Sequence, residues 1–321
     1  MPSVLKTKLS AYVFDPENTE LVLKASGKFS SVYLGTRVED KQAVVIKKLN
    51  DPDDYKTSVR FEKEAVMGMG FNGIAKTLDA HKDETGYYIV KEFIDGHSLR
   101  KIYRIGVPNA EVFFTKCMIA VLEVLKQFHN KSIFHCDLRP DNILVLNNKR
   151  RNPDLITPDI RLIDFGLSKT ADENYGGAYV PFSLIYSPAE QLLNYSNLID
   201  ASSDLFSIGV TLCECIAKSP PFFNEHPEMV MHLQLNAPIE NNKGINSKLF
   251  SVIEKATSKS KLRLPPAQLD QSEIIEAIKS GKLNRFQNCD EMIDALRSVL
   301  PQLEGKKASK GFFKKLFNAK S

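Results

Sequence analysis

The stretch that most constrains this chain is His135-Cys136-Asp137-Leu138-Arg139-Pro140-Asp141-Asn142, followed at once by Ile143-Leu144-Val145-Leu146. A polar loop feeding a continuous apolar run predicts a buried strand whose entry carries two carboxylates and an amide. Twenty-two residues after Asn142, a second apolar run, Ile160-Arg161-Leu162-Ile163, ends in Asp164-Phe165-Gly166. Two strands with oxygen donors at neighbouring ends suit a hard cation such as Mg2+, which prefers carboxylate, amide and water oxygens. At average residue usage this combination of residues and spacing arises by chance in about one chain in ten thousand. A plain turn beside a satisfied core histidine is therefore the weaker reading.

The two stretches resemble the catalytic core of the eukaryotic-like (Hanks-type) serine/threonine protein kinase family, whose loop reads H-R-D-L-x-x-x-N and whose metal turn reads D-F-G. The resemblance implies an α+β fold of two lobes. The N-lobe, 19–94, is expected as a small antiparallel sheet with one main helix, and the C-lobe, 95–302, as mainly helical. Residues 1–18 are expected as a leader and 303–321 as a basic amphipathic tail.

Other motifs follow in family order. Glu20-Leu21-Val22-Leu23 and Ser31-Val32-Tyr33-Leu34 read as a hairpin, with Ala25, Gly27, Ser30 and Val32 at the four positions of the glycine-rich loop. Small residues there let backbone N–H groups approach phosphates. The strand 43–49 alternates, with Val45 and Lys47 on one face and Val44 and Ile46 on the other. The resemblance makes Lys47 the phosphate-binding lysine and Val45 a cover for the adenine. A helix over roughly 57–69 carries Phe61, Ala65 and Met69 along one stripe, with Glu64 beside it as the partner of Lys47. In the strand 87–94, backbone atoms of Glu92 and Ile94 would bond the adenine edge, and Leu144 completes the nucleotide contacts. Lys91 then falls at the usually apolar gatekeeper position, so either it reaches past the nucleotide to an acid or the register is off by one.

A long buried helix from Pro108 to His129 is expected to deliver the chain to the His135 loop. Ser187-Pro188-Ala189-Glu190 resembles the family's A-P-E, and Arg285 matches the arginine that pairs with that glutamate. The helix opening at Ser203-Asp204 resembles the central C-lobe helix, whose aspartate steadies the catalytic loop. Two insertions stand out: 147–158 between the catalytic strands, and 260–284, with a helical stretch near 272–280, before Arg285.

In roles, the resemblance makes Asp137 the base, Asn142 and Asp164 the Mg2+ ligands, and Lys47 with Glu64 the anchor of the ATP phosphates. Arg139 replaces the catalytic-loop lysine with a planar fork. Pro140-Asp141-Asn142 and Ser183 point to serine or threonine acceptors in protein substrates. Cys136 replaces the arginine that grips a phosphorylated activation loop in many relatives, and a thiol cannot supply that bidentate contact. Switching by phosphorylation at Thr170, Tyr175 or Tyr179 is therefore not expected. Two competing readings are a pseudokinase that binds nucleotide as a scaffold and a small-molecule phosphotransferase. The Ser183 to Glu190 stretch with Arg285 argues for a protein-substrate platform over the latter.

Of 321 residues, 43 % are hydrophobic and 26 % charged, ordinary for a folded protein. The apolar runs are too short to span a membrane, the N-terminus lacks a secretory core, and the five cysteines lack metal-ligand spacing. A cytoplasmic protein with reduced thiols is the expectation. Six lysines and no acid follow Glu304, which leaves −2 of the net +4 for the rest and argues against nucleic acid as a partner. In a helical 306–321, Phe312, Phe313, Leu316 and Phe317 span about 140° with Lys314 and Lys315 opposite, a pattern suited to peripheral contact with anionic membrane. Sedimentation with anionic liposomes should retain the intact chain and lose it once 306–321 is deleted; equal retention would remove the lipid contact.

Overall fold

The computed structural model describes residues 2–16, 30–147, 158–173 and 182–305. The chain divides into two compact units, Met1–Asp95 with Ile163–Gly166, and Gly96–Leu162 with Leu167–Ser321.

The first unit is an antiparallel sheet with one helix. Its strands are β1 (Ser3–Lys6), β2 (Ala11–Phe14), β3 (Ser30–Arg37), β4 (Ala43–Leu49), β5 (Thr77–Asp83) and β6 (Gly86–Glu92), and α1 (Tyr55–Met67) lies between β4 and β5 in sequence. The spatial order is β1-β2-β3-β4-β6-β5. Period-two alternation explains why β6 is buried at six consecutive positions, from Gly86 to Lys91: both of its faces are covered. Tyr88 and Val90 join Leu5, Tyr12, Phe14, Val44 and Ile46 on one face. Tyr87 and Ile89 join Leu49, Phe61 and Ala65 of α1 on the other. Lys47 and Lys91 share the alternation of Leu49 and Ile89, so both are delivered to the α1 face.

The expected leader is corrected here. Residues 3–6 and 11–14 are strands, and β2 pairs with β3 in the register Tyr12↔Arg37, Phe14↔Gly35. The strand expected at 20–23, with Ala25 and Gly27, lies outside the described residues. Two-stranded β1-β2 would be marginal alone, but it is tied to β5, four strands away in the sheet. Asp79, buried and reached through a register shift in β5, accepts hydrogen bonds from Thr7 Oγ1 at 2.5 Å and Tyr12 Oη at 3.2 Å. Burial, then the Asp79 charge, pushes the Tyr12 hydroxyl up to about 12. The sheet therefore curls on itself.

Helix α1 begins two residues before the expected start because Asp54 caps it, accepting from the N–H groups of Lys56 and Thr57. It stops at Gly68, where any side chain would collide with Thr77. Met69 consequently falls off the apolar stripe and is exposed.

The second unit is mainly helical. It contains β7 (Gly96–Ser98), α2 (Leu99–Ile105), α3 (Ala110–His129), β8 (Ile133–Phe134), β9 (Ile143–Leu146), β10 (Ile160–Leu162) and β11 (Lys169–Thr170), then α4 (Ala189–Leu192), α5 (Ala201–Ala217), α6 (Pro227–Asn236), α7 (Ser247–Ala256), α8 (Gln271–Leu283) and α9 (Cys289–Glu304). Helices α3, α5, α7 and α9 pack around a common core. Gly209 lets α5 approach α7 closely, since a Cβ there would sit 2.8 Å from Ala256 and Thr257. The two catalytic runs pair antiparallel as β9 and β10, in the register Ile143↔Leu162 and Val145↔Ile160. Most of the 147–158 insertion between them is not described. The 260–284 insertion carries α8, opened by an Asp270–Glu273 capping box. All five cysteines are buried. Among the described residues no helix is long and apolar enough to cross a membrane.

Candidate active site

In the second unit, β8 and β9 bracket the His135–Asn142 loop. Cys136 adopts a left-handed backbone, with φ of 63°. That turn aims two successive N–H groups at one carboxylate: Asp204 accepts from His135 N at 2.8 Å and from Cys136 N at 2.9 Å. Asp204 sits in the first turn of α5 and is fully buried. Burial alone would raise its carboxyl, but the His129 hydrogen bond and the nearby His135 hold it below the usual carboxylate range. His129 Nε2 lies 2.8 Å from Asp204, and its Nδ1 lies 3.3 Å from Cys289 Sγ. On the far side of the loop, Gln191 donates to the Cys136 carbonyl at 2.9 Å and Thr211 to the Leu138 carbonyl at 3.3 Å. The loop backbone is thus fixed from α3, α4 and α5.

Asp137 leaves this frame with both carboxylate oxygens engaged. Asn142 Nδ2 donates to Oδ2 at 2.9 Å and to the Asp137 carbonyl at 2.8 Å. Ser183 Oγ donates to Oδ1 at 2.5 Å. Arg139 turns to Asp141, donating through Nη2 at 2.6 Å and Nε at 3.1 Å, with its guanidinium 5.8 Å from the Tyr186 ring. Asp141 also receives Arg100 Nε at 2.7 Å. Burial would raise the Asp141 carboxyl, but Arg139 and Arg100 hold it below its usual range. Arg100 continues to Glu214 at 2.9 Å and to the Tyr186 hydroxyl at 2.7 Å, and Tyr103 and Tyr186 each donate to Glu214 at 2.6 Å. This network was not foreseen. Its one sequence signal is Glu214, a lone acid inside the apolar run of α5.

The Cys136 side chain packs with Phe134, Leu167, Ile199 and Ala201, and its thiol faces the Phe134 carbonyl at 3.6 Å. Apolar side chains thus surround the thiol. Thr170 lies on β11, whereas Tyr175 and Tyr179 lie outside the described residues.

In the first unit, Lys47 Nζ donates to Glu64 Oε2 at 2.6 Å and to Asp164 Oδ1 at 3.1 Å. Burial would pull the Lys47 ammonium down, but the Asp164 and Glu64 charges together lift it above the ordinary lysine range. Lys91 reaches the other oxygen of Glu64, Oε1, at 2.9 Å. In the register Val45↔Lys91 the side chain extends to an acid, the first of the two expected arrangements. Val32 lies opposite Lys47 on β3, Ser30 opens that strand, and Val45 is half-buried on β4. Glu92 ends β6, with its N–H on the Lys76 carbonyl and its Oε1 on Lys76 N, and Ile94 follows half-buried. In the second unit Leu144 stands on β9 opposite Arg161 and Ser98.

Glu190 and Arg285 meet as expected, at 2.7 Å, both buried. Ser203 Oγ adds a bond to Glu190 at 2.7 Å, and Lys282 of α8 approaches it at 3.9 Å while pairing with Asp200 at 2.8 Å. The 260–284 insertion therefore braces this ion pair.

Comparison with known proteins matches residues 25–288 to a family model described as the protein kinase domain. The chain is 27 % identical over 252 residues to serine/threonine-protein kinase PknB of Mycobacterium leprae, covering 73 % of this chain and 38 % of that protein. It is 27 % identical over 230 residues to serine/threonine-protein kinase unc-51 of Caenorhabditis elegans, covering 67 % and 27 %. Against serine/threonine-protein kinase PknF of Mycobacterium tuberculosis it is 28 % identical over 223 residues, covering 66 % and 45 %. The chain thus spans less than half the length of each of these relatives.

Removing one member of a buried ion pair leaves an uncompensated charge, at a cost of about 3–5 kcal/mol. Arg285→Ala should lower the unfolding free energy obtained from urea denaturation by an amount near the low end of that range, with a lower midpoint, because Ser203 and Lys282 still face Glu190. An unchanged midpoint would mean that the pair contributes nothing to stability.

Proposed function

We propose that this chain, which belongs to the protein kinase family, transfers the γ-phosphoryl group of ATP to serine or threonine hydroxyls of proteins. One observation carries the reading. Ser183 already presents a serine hydroxyl to Asp137 Oδ1 at 2.5 Å, the contact an acceptor must make to lose its proton to a base. The names of the relatives support the same hydroxyl class.

Asp137 is held for this task by Asn142, which fixes the direction of its second oxygen. As the acceptor oxygen bonds to the γ-phosphorus, the bond from that phosphorus to the β–γ bridging oxygen breaks, ADP leaves, and the acceptor proton passes to Asp137 Oδ1. Lys47, fixed by Glu64, would neutralise charge on the nucleotide phosphates, with Val32, Val45, Leu144 and the backbone of Glu92 and Ile94 receiving the base. The family in general uses ATP with a divalent metal. The residues here fit Mg2+: the Asp164 side chain is 46 % exposed and offers a hard oxygen, and the Asn142 amide nitrogen is committed to Asp137, leaving its oxygen for a cation. Asn142 and Asp164 are the residues that would hold Mg2+, which would supply positive charge to offset that of the phosphates.

Arg139 supports the scaffold reading at one point, because it is turned onto Asp141 in the place of the catalytic lysine. A positioned base contributes about 10²–10⁴ in rate. Asp137→Asn should therefore reduce transfer from labelled ATP to a generic protein substrate by about that factor while nucleotide binding persists. Bound nucleotide with no transfer by the unsubstituted chain would favour the scaffold.

The apolar packing of Cys136 supports activity that does not wait for activation-segment phosphorylation. Replacing Thr170 by Ala and both Tyr175 and Tyr179 by Phe should leave kcat unchanged in the same assay. Loss of activity in that triple variant would sink the idea.

A further inference from the structure

Lys91 occupies a position that ordinary packing would fill with an apolar side chain. It closes a β6 run buried at six consecutive positions, and its ammonium is buried with it. Burying an ammonium carries a desolvation cost of several kcal/mol unless it is paired. Here the pairing is specific. Glu64 presents Oε2 to Lys47 at 2.6 Å and Oε1 to Lys91 at 2.9 Å, so one carboxylate is clamped by two lysines from neighbouring strands. Lys47 also contacts Asp164 at 3.1 Å.

The charges make the arrangement more than a packing detail. Lys47, Glu64 and Asp164 alone sum to one negative charge, an unfavourable setting for an anionic nucleotide. Lys91 brings the cluster to neutrality. The two lysines also differ in what substrate asks of them. An ammonium has three donors, and Lys47 must divide its own among Glu64, Asp164 and arriving phosphates. Lys91 faces no such competition, and keeps its hold on Oε1 while Lys47 is engaged elsewhere.

We infer that Lys91 is a positioning residue for phosphoryl transfer, clamping Glu64 and with it helix α1, so that Lys47 keeps its place without support from a phosphorylated activation segment. This inference rests on the kinase reading for its kinetic consequence, but the clamp itself can be tested apart from activity. Lys91→Met keeps the volume of the stem and leaves the ordinary single-lysine pair of Glu64, so the fold should be retained.

The test combines kinetics with amide hydrogen exchange. In Lys91→Met, kcat should fall about 10- to 100-fold, the range expected of a small misplacement of a phosphate-binding group, while KM for the protein substrate stays constant. Lys91→Arg should recover most of the loss. In a Glu64→Gln background, Lys91→Met should lower kcat no further, which a merely structural effect of the lysine would not predict. Amides of α1 should exchange faster in Lys91→Met than in the unsubstituted chain. Wild-type kcat together with unchanged α1 exchange in Lys91→Met would overturn the inference, as would an equal further loss in the Glu64→Gln background. Should the unsubstituted chain transfer no phosphate, the kinase reading fails, and α1 exchange still decides the clamp. Lys91→Gln replaces the Met variant if that protein does not fold.

Discussion

The buried carboxylate of Asp204 is the interaction on which the catalytic loop depends. Two consecutive N–H groups can point at one acceptor only if the backbone between them turns sharply, and the left-handed Cys136 is that turn. The loop conformation costs free energy for a residue with a Cβ, and the charge-assisted bonds to Asp204 offset it. Because Asp204 rides on the first turn of α5, the position of Asp137 is referred to the most buried helix of its unit. His129 and, through it, Cys289 extend the same support to α3 and α9.

A second pattern recurs in both units: charges are buried in sets and shared. Glu64 serves two lysines, Asp141 two arginines, and Glu190 an arginine with a lysine near by. Isolated buried charges would be prohibitive, whereas shared ones fix the geometry of several elements at once. Arg139 shows how this sharing can direct a side chain. Its planar fork matches Asp141 so well that the guanidinium is directed there, where a lysine would have had less reason to go.

Much of this could be read from the chain. Alternation placed Lys47 opposite Val44 and Ile46, and the stripe through Phe61 and Ala65 placed Glu64 beside it; the two then met at 2.6 Å. Local periodicity is sufficient where an element buries a single face. It failed where the outcome depended on partners distant in sequence. Ser3–Lys6 and Ala11–Phe14 are four-residue runs with no strong signature, and only the curled sheet and Asp79 make them strands. Arg100, Asp141 and Glu214 are separated by 41 and 73 residues, so nothing local linked them. Met69 was misassigned because Gly68 ends α1 through a contact with Thr77 on a following strand.

The bond between the first hairpin and Asp79 also orders events during synthesis. Thr7 and Tyr12 leave the ribosome some seventy residues before their acceptor does. Until β5 emerges and pairs with β6, the hairpin lacks its buried carboxylate and the part of its apolar face that Tyr88 and Val90 supply. A contact this distant in the chain forms late, since loop closure must precede any gain from it. The hairpin is therefore among the last parts of its unit to settle.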